Sequence, residues 1–279
     1  MSENVSILIL TKNEEQDLPG CLESVKWSDD IHVFDSFSTD RTLEIAKDIG
    51  ATINQRPFDD WATHQNWAVQ NINFKNRWVF YIDADERVTD ELRASILEAV
   101  QRKDDQVAYN IQRRDFMFDT WLKHVQVTAF YQRLFVPAHM RYERPNSVFS
   151  IPDGPVGTIK GYLDHFPFSK GISHWLTRHN KYSDVEAAII VGNREQHTKF
   201  SISKALASKD FHERRFHQKE IFYRMPGRPV IKFFLFYLAK AGFLDGHAGF
   251  TYSVLMAIYE YMIVLKTSEL ERTHGNVGT

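Results

Sequence analysis

"RWVFYIDADERVTDEL", residues 77–92, begins with a run of large apolar side chains and stops abruptly at Asp83-Ala84-Asp85-Glu86. An apolar run of this length reads as a buried strand. Three carboxylates within four residues at its end repel one another, and each resists ionising beside the others. A positive partner is expected among them, not necessarily one encoded in the chain.

The residues before this stretch alternate strand and helix signals. Residues 5–10 (VSILIL) and 31–36 (IHVFDS) read as short buried strands, and residues 51–57 (ATINQRP) as a third. Between them, residues 17–26 (DLPGCLESVK) and 38–50 (STDRTLEIAKDIG) read as helices, the second with a polar start and a glycine stop. Residues 61–72 (WATHQNWAVQNI) give a further helix before the Trp78 strand. Strands alternating with helices imply parallel βαβ units, which bind ligands at the carboxyl ends of their strands. From about Ala108 the pattern turns to strands and loops (AYNIQRRDFMF, FYQRLFVP), and from residue 173 it becomes helical.

Composition narrows the classes. The 279 residues are 43% hydrophobic and 25% charged, which is globular rather than disordered. A net charge of −2 gives no case for nucleic acid. Cys21 is the sole cysteine, so no intramolecular disulfide forms and a reducing, cytoplasmic compartment fits. The first fifteen residues have no basic segment before their apolar run, and no export signal is read there. No G-x-G-x-x-G or P-loop motif occurs, and no His/Cys spacing suits structural zinc.

Glu86 fits the start of a surface helix near Thr89, since acidic residues favour helix N-termini. Asp83 and Asp85 stand at a strand end in a D-x-D spacing. Oxygen ligands so placed suit a hard cation such as Mg²⁺ or Mn²⁺, which keeps positions open for phosphate. Haloacid-dehalogenase phosphatases carry D-x-D-x-[T/V] after an apolar strand. Here the fifth position is Arg87 and the strand is the fourth, which counts against them.

Three segments, LILTKNEEQDLPGCLESV, VFDSFSTDRTLEIAK and YIDADERVTDEL, occur in an order and spacing that resemble the family 2 glycosyltransferases. Within that family they look most like the bacterial lipopolysaccharide-core glucosyltransferase branch and its capsule and exopolysaccharide relatives. The resemblance covers roughly the first half of the chain and extends more loosely through YQRLF and HWLTRHNKYSDVEA. It implies an α/β GT-A fold, Rossmann-like with a mostly parallel sheet, over residues 1–172. Residues 1–107 would be the nucleotide-binding half, 108–172 the acceptor half, and 173–279 a helical C-terminal region. By the same resemblance Thr11 and Glu14 edge the nucleoside pocket, and Asp35 and Asp40 contact base and ribose. Asp83 reaches the ribose or the metal, and Asp85 holds the metal that bridges the diphosphate. Asp40 could equally start the helix that follows it. Gln65 and Asn66 stand where the family often has a basic residue and Asn, or are helix surface. His165 occupies the place of a late histidine that completes the metal site.

The branch also ends its motif in Val-His-Glu, which this chain lacks. The proton acceptor required by an inverting transfer is then sought in Glu143 or Asp153. Each has a plain alternative, an ion pair among Arg141 and Arg144 for Glu143 and a turn for Asp153.

Residues 210–232 carry six Lys/Arg against three acids, and an aromatic run from Phe233 follows. No charge-free stretch reaches the 18–20 residues that span a bilayer. Basic and aromatic stretches side by side suit the membrane interface, with Arg214, Arg215, Lys219, Arg224, Arg228 and Lys232 toward headgroups. Phe233, Phe234, Phe236 and Tyr237 would then meet the acyl boundary. Core helices or an oligomer interface are the alternatives.

The sequence-level expectation is a metal-dependent inverting transferase, peripheral on the inner face of the plasma membrane. It takes a nucleotide sugar, most simply a UDP-sugar, and a glycan or lipid-linked glycan acceptor. A sugar-nucleotide nucleotidyltransferase and a non-catalytic membrane scaffold are the rivals. The first needs a Gly-rich, Arg-containing loop that LTKNEEQDLPG lacks.

Overall fold

The structure is a computed structural model that describes residues 5–102, 104–126, 128–143, 149–196 and 199–275. The chain divides into two units, Met1–Phe116 with Thr128–Ser169, and Met117–Val127 with Lys170–Thr279.

In the first unit, β1 (Val5–Thr11), α1 (Leu18–Val25), β2 (Ile31–Asp35), α2 (Thr42–Asp48), β3 (Thr52–Gln55), α3 (Trp61–Asn71) and β4 (Trp78–Asp83) follow the alternation of the sequence. All seven residues of β1 are buried. Val5, Ile7 and Ile9 pack in a cluster with Leu18, Leu22 and Val25 of α1, while Leu8 and Leu10 join Ala68 and Val69 of α3. A strand covered on both faces is mostly apolar, which is why it reads as a near-continuous run. Each large aliphatic side chain so buried contributes about 1.5–3 kcal/mol.

Beyond β4 come β5 (Glu86–Val88), α4 (Asp90–Gln101) and β6 (Ala108–Met117), then β7 (Thr120–Trp121), which falls in the second unit. The first unit resumes with β8 (Phe130–Phe135), β9 (Met140–Glu143), β10 (Phe149–Pro152) and β11 (Val156–His165). The main sheet runs β3-β2-β1-β4-β8-β6-β11-β5. β3, β2, β1 and β4 are parallel, as are β6 and β11. β8 enters antiparallel between β4 and β6, and β5 lies antiparallel on β11. β9 and β10 pair separately. This is the mixed α/β sheet of a GT-A fold, with its parallel half at the N-terminus.

Glu86 departs from the expected helix start. The cap of α4 is Thr89, whose Oγ1 accepts from the Leu92 amide at 3.2 Å, with Asp90 and Glu91 in the first turn. Glu86 instead begins a strand opposite His165, and it is fully buried.

The second unit is helical: α5 (Gly171–Glu195), α6 (Ile202–Ala207), α7 (Phe211–Phe222), α8 (Arg228–Phe234) and α9 (Gly246–Gly275), with α8 followed by a π turn. The segment before β8 belongs here because Asp245 holds it. Its carboxylate accepts from the amides of His124 and Val125 at 3.0 and 2.8 Å and meets His124 Nδ1 at 2.6 Å.

The expected membrane-facing roles of Arg228, Lys232 and Phe236 change in this unit. Gly242–Thr273 is long and apolar enough to cross a membrane by length and composition alone, with a mean hydropathy of 1.4 in its most apolar window, 39% of which is buried. Glu260 interrupts the apolar run, but it is itself buried, with Arg228 Nε at 3.4 Å and Lys232 Nζ at 3.7 Å. Arg228 and Lys232 are thus turned onto a buried carboxylate, not toward headgroups, because an unpaired charge there would be costly. Phe236 is likewise a buried residue rather than an interfacial one. Arg215, Lys219 and Arg224 are exposed, and Arg214 is half-buried with its Nη1 on the Ser208 carbonyl.

Candidate active site

Register brings the polar strand ends together. Thr11 pairs with Asp35 across β1 and β2, and Leu10 pairs with Asp83 across β1 and β4, so all three strands end at one level. From the far side, β11 runs beside β6 with His165 opposite Asp115, and beside β5 with His165 opposite Glu86.

The crowded carboxylates have cations from the chain. Arg133, on β8, donates from Nη2 to Asp83 Oδ2 at 2.7 Å and to Glu86 Oε1 at 2.8 Å. It is buried, and its guanidinium carbon lies 4.2 Å from the centre of the Tyr81 ring. Glu86 also accepts from the Asp83 amide at 2.9 Å and has Arg113 Nη1 at 3.6 Å. Burial raises the pKa of Glu86, with Arg133 opposing it. Burial disfavours the Arg133 charge too, yet Asp83 and Glu86 hold it firmly protonated. Tyr81 donates its hydroxyl to Asp83 Oδ1 at 2.5 Å.

Arg87 clamps the turn itself. Its Nη1 donates to the carbonyls of Ala84 and Glu86, and its Nη2 to that of Asp17. Gly20 makes room, since a Cβ there would lie 2.5 Å from Arg87 Nε.

Asp85 and His165 form the second half. His165 Nε2 lies 3.3 Å from Asp85 Oδ2, and its Nδ1 is 2.6 Å from Asp115 Oδ1. Arg113 Nε lies 3.1 Å from the same Asp115 oxygen. Burial pulls the imidazolium down, but the bonds to Asp115 and Asp85 outweigh it and push the pKa to about 9. A histidine held by a carboxylate on Nδ1 with Nε2 beside another carboxylate has the arrangement of a metal ligand with its outer support. Four carboxyl groups, those of Asp83, Asp85, Glu86 and Asp115, gather here with two guanidiniums, Arg113 and Arg133. A divalent cation on Asp85 and His165 fits that balance, with further positions left to phosphate and water. Among the described residues no group of three or more His, Cys, Asp or Glu is arranged to enclose a metal alone.

The nucleotide-side residues are laced together. Asp35 is fully buried and accepts from Thr11 Oγ1, the Ser38 amide and hydroxyl, and Gln55 Nε2 at 2.5–3.1 Å. The carboxylate expected on base and ribose therefore organises the β2 loop. Asp40 accepts from the Glu15 amide and from the amide and hydroxyl of Thr42, which is its alternative role at the start of α2. Those Thr42 bonds hold its pKa low, against the opposing effect of burial. The Glu14 backbone amide donates to Thr42 Oγ1 at 2.8 Å, and Glu14 is half-buried. Phe37 has φ +60° and is 48% exposed, a strained conformation for a bulky residue at a strand end.

Beside Asp83 opens a cavity of about 320 Å³, walled by Trp61, Gln65, Tyr81, Asp83, Arg113, Tyr131, Gln132, Arg133, Tyr142 and Ser150. Neither Glu143 nor Asp153 is in that wall. Glu143 is exposed and paired with Arg141 at 3.2 Å, its plain alternative, and Asp153 is exposed in the turn after β10. Arg144 lies outside the described residues. Gln65 and Asn66 are not helix surface. Gln65 is buried, and the Asn66 amide exchanges two 2.8 Å hydrogen bonds with the backbone of Tyr142. The sequence reading missed Arg113, Asp115 and Arg133 as site residues. The signal available was charge inside strands: QRRDF and YQRLF place Arg and Asp among residues that must be buried.

A mixed sheet with carboxylates and a histidine gathered at its strand ends beside a cavity is the layout of a GT-A fold. Residues 6–162 match the family model for glycosyl transferase family 2, and the chain belongs to that family. The lipopolysaccharide core biosynthesis glycosyltransferase LpsC of Rhizobium meliloti is 26% identical over 94% of this chain and 91% of its own length. An uncharacterized glycosyltransferase of Rickettsia bellii is 35% identical, over 40% of this chain and 38% of that protein. Among solved structures, S. aureus TarS 1-349 is 11% identical over 90% of each chain, with a TM-score of 0.43.

Proposed function

We propose that this glycosyltransferase moves a sugar from a UDP-linked donor to a growing, lipid-linked bacterial surface glycan by a metal-dependent, inverting displacement. The observation that carries the metal and donor part is the Asp85–His165–Asp115 array beside Asp83 and Arg133. The surface-glycan part is supported by the similarity to LpsC over nearly the whole of both chains.

Asp85 and His165 would hold the cation, which when bound neutralises the charge that builds on the departing nucleoside diphosphate. Asp115 keeps His165 in the tautomer that offers Nε2. Thr11 and Glu14 would edge the nucleoside, and Asp35 and Asp40 act on it through the loop they order. The attacking hydroxyl must lose a proton as it reaches the anomeric carbon. Asp83 is the carboxylate in the cavity wall, so Asp83 would take the proton in place of Glu143 or Asp153.

The test is UDP release from a panel of UDP-sugars, with a bacterial lipid extract as acceptor, in Mn²⁺, Mg²⁺ or EDTA. Release that needs both extract and divalent cation, and is nearly abolished in a folded Asp85→Asn variant, is the expected result. Undiminished turnover in EDTA would remove the metal from the proposal.

A further inference from the structure

Gln65 is 7% exposed, and its Oε1 is buried with no hydrogen-bond donor among the described residues. The local network fixes which end of the amide this is. Tyr81 has one hydroxyl proton and donates it to Asp83 Oδ1, 2.5 Å away. Its oxygen can then only accept from Gln65, and Gln65 Nε2 lies 3.3 Å away. The amide nitrogen is thereby committed to Tyr81, and the oxygen is left over on a residue that walls the cavity. A buried acceptor without a donor is unfavourable, and the described residues supply none.

The surroundings indicate the donor's chemistry. Trp61 and Tyr131 line the same cavity and are 46% and 37% exposed, offering apolar ring faces. Asp83 adds an acceptor, and Arg113 a donor. Ring faces combined with both donors and acceptors suit a molecule with apolar C–H faces and many hydroxyls. We infer that Gln65 Oε1 accepts a hydrogen bond from a ring hydroxyl of a neutral hexopyranose bound in this cavity, which makes Gln65 a sugar-specificity residue. This rests on the transferase reading above and extends it to one substrate contact. The sugar can belong to the donor or to the acceptor.

The experiment uses the full chain with Mn²⁺. Calorimetry measures binding of UDP, of UDP-glucose, UDP-galactose and UDP-N-acetylglucosamine, and of the matching methyl glycosides. The proteins are wild type, Gln65→Met, which keeps the length but offers no amide, and Gln65→Glu, which keeps an acceptor. Thermal melts confirm that each variant is folded. Gln65→Met is expected to weaken the best-bound sugar ligand about tenfold while UDP affinity stays within about twofold. Gln65→Glu should recover part of the loss. If the loss falls on the nucleotide sugar, the donor's ring is in the cavity; if it falls on the methyl glycoside alone, the acceptor's is. The monodeoxy form of that sugar lacking the contacted hydroxyl should bind both wild type and Gln65→Met equally. Equal sugar binding by wild type and folded Gln65→Met, with UDP binding intact, overturns the inference and leaves the transferase reading standing. Failure of wild type to bind UDP or any sugar ligand overturns the donor reading and this inference with it.

Discussion

Arg133 Nη2 lies 2.7 Å from Asp83 Oδ2 and 2.8 Å from Glu86 Oε1, so one buried guanidinium joins both ends of the Asp83–Glu86 turn. Those carboxylates are neighbours because a parallel strand ends there, and they share a cation because β8 inserts antiparallel beside β4 and delivers it. Removing one partner of a buried pair leaves the other uncompensated, at a cost of about 3–5 kcal/mol. Arg133→Met should therefore lower unfolding stability by about that amount in urea denaturation. Adding Glu86→Gln should recover part of it, since the buried carboxylate that lost its partner is then neutral. A loss below about 1 kcal/mol would mean that Arg133 does not hold this turn.

The parallel half of the sheet was legible because its strands are buried on both faces and read as near-continuous apolar runs, as in β1 and β4. Asp83 and Asp85 stood out for the same reason, as polar residues at the end of such a run. Their partners were not legible as partners. Arg133 is fifty residues beyond Asp83, and His165 reaches Asp115 only through the β6–β11 register, which no local pattern encodes. Glu86 misled because an acidic residue before a helix looks like a cap, whereas the tertiary fold turned it into a strand. The basic surface suffered the opposite error. Arg228 looked solvent-facing by composition and is buried on Glu260, thirty-two residues away.

The His165 pair predicts a pH dependence in the protein stripped of metal. Its folded pKa, about 9, lies above the ordinary value of 6.5, so the folded state binds the proton more tightly. The stabilisation is fully present below about pH 6.5 and is lost as pH rises through about 9; it amounts to about 3 kcal/mol at most. In EDTA, the stability gap between wild type and His165→Gln should be wide at pH 6 and narrow by pH 10. A gap that does not change with pH would show that His165 is not held as an imidazolium between Asp85 and Asp115.

The assignment of the proton acceptor separates three carboxylates. Glu143→Gln and Asp153→Asn alter exposed groups outside the cavity wall and should leave kcat within about threefold. Asp83→Asn should lower kcat by about 10²–10⁴-fold, the usual cost of losing proton transfer. If Glu143→Gln produces that loss while UDP still binds, the proton goes to Glu143 and Asp83 has another role.

Membrane binding depends on which side chains of the second unit remain outward. Val230, Phe234, Leu238, Phe243 and Leu244, on α8 and the turns after it, are 48–60% exposed. Arg215, Lys219 and Arg224 are exposed cations on the preceding segment, although Arg224 also meets Glu220 and Lys219 lies 3.7 Å from Glu186. Basic residues near an anionic surface contribute about 1 kcal/mol each, and apolar side chains at the acyl boundary add a part that salt does not screen. Arg215→Gln with Lys219→Gln should therefore weaken binding to anionic vesicles by about 2 kcal/mol, or roughly thirtyfold. High salt should mimic that change in wild type. Phe234→Ser with Leu238→Ser should weaken the binding that persists in high salt. Arg228→Gln is expected to differ in kind: it strips a cation from buried Glu260 and should lower the melting temperature before it alters vesicle affinity. Wild type that fails to float with anionic liposomes at low salt would show that these apolar side chains serve something other than a membrane, and the lipid-linked acceptor would lose this support.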